Sequence, residues 1–113
     1  MTEATLLKQK VDPKEVDQLK DWMETVRDRS GAALETLQNE GVYTETAFLE
    51  ETPDGTFLVT YIEAEDLEQV WKTFEESTHE IDTKHKKVMR NCLEDGENAG
   101  DFEPLYHLAN PNR

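Results

Sequence analysis

The run Phe57-Leu-Val-Thr-Tyr-Ile62 is apolar on both alternating sets of positions, with Phe57, Val59 and Tyr61 on one and Leu58 and Ile62 on the other. Successive side chains of a strand point to opposite faces of its sheet. A strand with no polar face therefore belongs in the middle of a sheet and needs cover on both sides. Just before it stands Thr52-Pro53-Asp54-Gly55, turn chemistry in which proline presets φ and glycine accepts positive values. A second β-rich run lies on the far side of that turn. The two predict an antiparallel hairpin, Val42–Glu51 with Thr56–Ala64.

The remaining elements follow from capping and periodicity. Thr5–Val11 alternates and reads as a first strand. Asp12, Pro13 and Glu15 then occupy N-cap, N1 and N3 of a helix. Val16, Leu19, Met23, Val26, Ala33, Leu34 and Leu37 recur at helical spacing, with Trp22 beside them, and Gly41 is the expected terminator. Ser30-Gly31 marks a kink or break within that stretch. Glu65 and Asp66 open a second helix whose inward stripe is Leu67, Val70, Trp71 and Phe74. Ser77–Ile81 interrupts it, and Asp82 is the expected cap of a third helix carrying His85, Val88, Met89, Cys92 and Leu93. Asp95–Gly100 is a loop by composition. Phe102–Leu108 reads as a last strand that Pro104 confines to an edge or a bulge.

The order is β-α-β-β-α-(α)-β in one domain, residues 1–113, an α+β chain of the ferredoxin-like arrangement. Right-handed crossovers place the helices on one face of a four-stranded antiparallel sheet. The other face would be bare in a single copy, although its central strand has nothing polar to show water. An exposed apolar sheet normally marks an interface, so the expected partner is the chain itself, in an isologous homodimer that buries sheet against sheet.

Twenty-six acidic residues face 12 basic ones, for a formal net charge of −14. Such a body repels itself in ordinary buffer, whereas molar salt shortens the Debye length to ~3 Å. The charge points to a salt-rich cytoplasm and argues against nucleic acid and anionic membranes as partners. Cys92 is the single cysteine, which suits a reducing compartment. The N-terminal Met1-Thr-Glu-Ala has no basic signal region, and no apolar run is long enough to span a membrane.

Three segments carry a resemblance: Gly41-Val-Tyr-Thr-Glu-Thr-Ala-Phe-Leu-Glu50, Ser77-Thr-His-Glu-Ile-Asp-Thr-Lys-His-Lys86 and Pro104-Leu-Tyr-His-Leu108. The layout resembles the dimeric α/β-barrel superfamily of small mutarotases, cofactor-independent monooxygenases and stress-responsive barrel proteins. More closely, the segments look like an uncharacterised family frequent in salt-loving archaea. The resemblance spans nearly the whole chain and implies the fold and the dimer. Mutarotases of the group carry a catalytic histidine early in the first helix, and Pro13–Val26 has none. No catalytic assignment is carried over from the relatives.

The candidate chemistry centres on three histidines. His79 and His85 stand six apart, not the three or four that put two ligands on one helical face. Glu80, Asp82 or His107 would have to join them, and no metal is expected. Imidazole titrates near neutrality, and His85, beside Val88 and Met89, is the acid/base candidate, with Trp71, Tyr61 and Tyr106 as pocket walls and His79 as a further ligand contact. Each also reads plainly as core or surface. Lys8 and Lys10 share one face of a strand placed centrally, where they reach the barrel rim or hold an acidic partner inside the dimer, and Lys8 joins the candidate ligand contacts. Lys84, Lys86, Lys87 and Arg90 either hold an anion or pair with neighbouring carboxylates. Gly-rich phosphate loops and a Ser-His-Asp spacing are absent from the sequence, so no cofactor is expected.

The leading expectation is a homodimeric small-molecule-binding domain whose pocket lies between sheet and helices, with cofactor-independent isomerase or oxygenase chemistry open to it. The competing one is a non-catalytic dimerisation or regulatory interaction module.

Overall fold

A computed structural model describes residues 2–113. Its elements are β1 (Glu3–Lys10), α1 (Val16–Asp28), α2 (Ser30–Glu40), β2 (Val42–Thr52), β3 (Gly55–Ala64), α3 (Leu67–Glu76) and α4 (Glu80–Cys92), with a short 3-10 turn at Pro13–Glu15. The hairpin forms as the turn chemistry demands. Thr52 Oγ1 accepts from Asp54 N and donates to Gly55 O, and Gly55 takes φ 133°. The apolar strand β3 is central, in the order β1-β3-β2, and both of its pairings are antiparallel.

Alternation along β3 divides the molecule. Leu58, Ile62 and Ala64 point to the helices and sit in two clusters. One gathers Val11, Leu19, Cys92 and Leu93 around Leu58; the other gathers Val42 and Val70 around Ile62 and Ala64. All four helices thus pack on one face. Leu19 and Val70 are almost fully buried, each such side chain contributing roughly 1.5–3 kcal/mol. Phe57, Val59, Tyr61 and Glu63 point the other way, onto what we call the open face.

The α+β class stands, but the sheet has three strands and not four. Phe102–Leu108 forms no strand. Pro104 has no N–H to give a ladder, and the nearest edge is already occupied. Glu94 N donates to Lys10 O, Ala99 N to Lys8 O, and Lys8 N to Asn98 Oδ1, so the preceding loop takes the outer edge of β1. The chain from Phe102 onward crosses the open face as an irregular arm. Without a fourth strand β1 is an edge, so Lys8 and Lys10 are not central as expected.

Smaller corrections have equally local causes. The long helix breaks at Arg29 (φ −103°, ψ 40°), one residue before the expected Ser30-Gly31. Gly41 ends α2 with φ 77°, the left-handed value that favours glycine. His79, not Asp82, caps α4: its Nδ1 accepts from Ile81 N at 3.3 Å, and Asp82 instead accepts from Ser77 Oγ at 2.6 Å. Trp71 stands on the outer side of α3, 40% exposed, while Trp22 takes the buried place.

Candidate functional site

His85 sits on the helical side, between α1, α3 and α4. Its Nδ1 accepts a 2.8 Å hydrogen bond from Trp22 Nε1. That bond requires the imidazole proton on Nε2. The edge of Phe74 approaches at 6.0 Å between centroids. Burial lowers its pKa below the ordinary value, against a weaker opposite pull from Asp82, so the ring is neutral at pH 7. His79 is engaged as the α4 cap, with its Nε2 3.8 Å from Glu35. Neither histidine meets Tyr61 or Tyr106, and Trp71 faces outward. Nearby, Lys84 pairs with Glu80 at 3.1 Å, and Lys86 Nζ donates to the carbonyls of Glu75 and Ser77 while lying over Phe74.

On the open face the structure does bring sequence candidates together. A cleft of about 430 Å³ lies between β1, β3 and the arm, lined among others by Leu6, Tyr61, Phe102, Tyr106, His107 and Leu108. Of the lining residues, Tyr61 Oη donates to Glu63, which lies behind the cleft wall, at 3.2 Å and is 3.5 Å from His107 Nδ1. His107 Nε2 is 3.4 Å from the Glu63 carboxylate, out of line for a hydrogen bond and otherwise buried without a partner among the described residues. Arg113 completes the cluster, with Nη1 3.2 Å from Glu63 and Nη2 2.6 Å from Thr44 Oγ1. Burial, then the hydrogen bond to Glu63, raises the Tyr61 pKa, so the phenol keeps its proton at neutral pH.

Residues 2–113 match the model of a family of unknown function, DUF6176. The chain belongs to that family. No curated protein matches it.

Within this DUF6176 chain the best-built polar site is therefore one that sequence reasoning half saw. Tyr61 and Tyr106, expected as walls of a pocket between sheet and helices with His85 and Trp71, instead line a cleft on the opposite face that neither of those residues reaches. His107 entered only as a spare ligand, and Glu63 and Arg113 were missed. A signal for Glu63 exists: it continues the Phe57-Val59-Tyr61 series, so it must be buried wherever those residues are. A buried carboxylate needs partners, and they arrive from the far end of the chain. Lys8 shares this face one row away, paired with Glu50 at 2.8 Å and 4.4 Å above the Phe57 ring. Among the described residues no group of three or more His, Cys, Asp or Glu side chains is placed to hold a metal ion.

A second groove of about 360 Å³ lies between α1 and β2, lined by Leu19, Met23, Ala47, Phe48, Leu49 and Leu58 with Lys20, Glu24 and Arg27. It has apolar walls and no comparable polar cluster.

Proposed function

We propose that the protein is a homodimeric domain that binds an uncharged small molecule in the open-face cleft, in a salt-rich cytoplasm. The observation that carries this reading is that Tyr61 and His107, both beside the buried Glu63, line a cleft whose other walls include Leu6, Phe102, Tyr106 and Leu108. Ligand sites of this kind join apolar walls to a few fixed polar groups. To act as an acid, the neutral Tyr61 phenol would swing its one proton from Glu63 to a ligand oxygen and take it back afterwards, leaving Glu63 its bond from Arg113 meanwhile. This is the acid/base chemistry of an isomerase or a cofactor-independent oxygenase. The role assigned to His85 in the sequence reading passes here to Tyr61 and His107, because the Nδ1 of His85 is committed to Trp22.

The test is a thermal-shift screen of metabolites in molar KCl, since a ligand selective for the native state raises its melting temperature. A true ligand raises it in the wild type and loses the effect in Tyr61→Phe and in Leu6→Trp, which fills the cleft, while both variants keep native circular dichroism. A shift that survives both substitutions places the ligand elsewhere and defeats the reading.

The competing reading, a non-catalytic dimerisation or regulatory module, is favoured by one observation. Leu105, Tyr106 and Leu108 are 86%, 81% and 82% exposed. It expects a dimer that no metabolite stabilises.

A further inference from the structure

The open face is stepped. The arm anchors on the strand rows at one end, through His107 to Tyr61 and Glu63 and through Arg113 to Glu63 and Thr44. The next rows pair Lys8 with Val59 and Phe48, and Lys10 with Phe57 and Glu50. At that end Phe48 is 57% exposed. The arm carries the exposed Leu105, with Tyr106 and Leu108 also largely exposed at the rim of the cleft. One face of the chain thus holds a raised apolar strap at one end and, at the other, a lower ledge on which Phe48 stands exposed beside the half-buried Val59, with Phe57 buried beneath Lys8.

We infer that a second copy of the chain covers this face, with the arm of each copy lying on the Phe48–Val59 ledge of the other and the ledge roofing the cleft at Tyr61 and His107. A two-fold axis between two facing sheets, perpendicular to their strands, sets the arm end of one copy over the bare end of the other. An isologous interface requires this kind of self-complementarity. Charge favours the same pairing. The ledge end holds Lys8, 2.8 Å from Glu50 of its own chain, and Lys10, 4.0 Å from Glu94, and the arm begins with the exposed Asp101 and Glu103, whose carboxylates would join these pairs across the interface. In a chain of net charge −14, such a local cation–anion match lets two copies approach. Phe48, Leu105, Tyr106 and Leu108 together expose on the order of 600 Å² per copy, which with its rim approaches the ~800 Å² per partner of a stable interface.

This rests on the homodimer in the proposed function, and the test separates the two. A Phe48→Cys chain is mixed with a differently tagged Leu105→Cys chain in molar KCl and treated with a short bismaleimide; Cys92 is fully buried and stays silent. Each variant adds one thiol, so a 48–105 product must join two chains. That mixed product is the expected result. The doubly substituted Leu105→Asp, Leu108→Asp chain, altered only at exposed positions, is expected to keep native circular dichroism while dimerisation weakens on the order of 100-fold or more. If sizing shows a dimer but no mixed product forms, or if the double variant dimerises as the wild type does, the arm placement is wrong and the homodimer survives. If the wild type runs at the 13.1 kDa of one chain, both fail.

Discussion

Trp22 Nε1 and His85 Nδ1 are joined by a 2.8 Å hydrogen bond that ties α1 to α4 and leaves the imidazole neutral. Burial lowers the folded-state pKa of His85 below the ordinary 6.5, while the unfolded chain keeps the ordinary value. Above that pH neither state carries the proton and the contribution of the pair is complete. As pH falls below it, the unfolded state takes up a proton that the folded state resists, and stability is lost. His85→Gln keeps an acceptor for the indole but does not titrate, so denaturant melts in KCl are expected to show the wild type losing stability relative to this variant as pH falls from 7 to 5, whatever the other titrating groups, which both proteins share, add. Trp22→Phe leaves a part-buried nitrogen unpaired and is expected to cost about 1–3 kcal/mol at pH 7.

Glu40 titrates in the opposite sense. It is buried at the end of α2, and burial first, then repulsion from Asp82 and Glu45, raises its pKa from 4.5 to about 8 against the opposing pull of Lys86. The folded state therefore holds the proton more tightly than the unfolded state. Its contribution is complete below pH 4.5 and is lost as pH rises toward 8, at up to about 1.4 kcal/mol per pH unit. Glu40→Gln keeps the shape and removes the titration. The stability difference between variant and wild type is expected to be flat below pH 4.5, to grow in favour of the variant up to pH 8, and to level off beyond.

Much of this was legible in the chain, and the rest failed for identifiable reasons. The hairpin, its turn and the central place of β3 follow from residues adjacent in sequence, where period and turn chemistry act directly. The four helices on one face follow from the same alternation. The arm was misread because Phe102–Leu108 has strand-like residues, whereas pairing depends on a free edge, and Glu94–Ala99 had taken it. Trp71 and Trp22 differ in burial through the angular placement of each helix against the sheet, which an apolar stripe broad enough to include both does not set. The site suffered most. Glu63 meets His107 and Arg113 across more than forty residues, and spacing along the chain has no means of registering such a meeting.

The arm is held chiefly by charge. Glu63 is buried, accepts from Tyr61 and Arg113 at 3.2 Å and lies 3.4 Å from His107 Nε2, while Arg113 itself is half exposed. Partly exposed pairs contribute little to global stability, so Glu63→Gln is expected to shift it by only about 1 kcal/mol or less. The local effect is larger. Amide exchange in residues 102–113 is expected to accelerate in Glu63→Gln while α1 and α4 keep wild-type protection, because their core contains no arm residue. Unchanged exchange in the arm would mean that Glu63 does not anchor it.

Salt acts on the whole surface at once. With 26 acidic and 12 basic residues, folding concentrates repulsion that the expanded chain spreads over a larger volume. Screening lowers that cost as the Debye length falls from about 10 Å at 0.1 M to 3 Å at 1 M. The melting temperature is therefore expected to climb steeply with KCl below about 1 M and more slowly above it. An uncharged excluded solute such as sucrose strengthens burial without screening, and it is expected to give a gradual rise with no steep early portion. Lys8→Gln separates the global effect from the local one. It removes the Glu50 partner and raises the net charge to −15, one beyond the native −14, so the variant should fall below the wild type most at low KCl and converge on it as salt increases. A wild type whose melting temperature ignores KCl while responding to sucrose would show that this acidic surface is not what salt acts on.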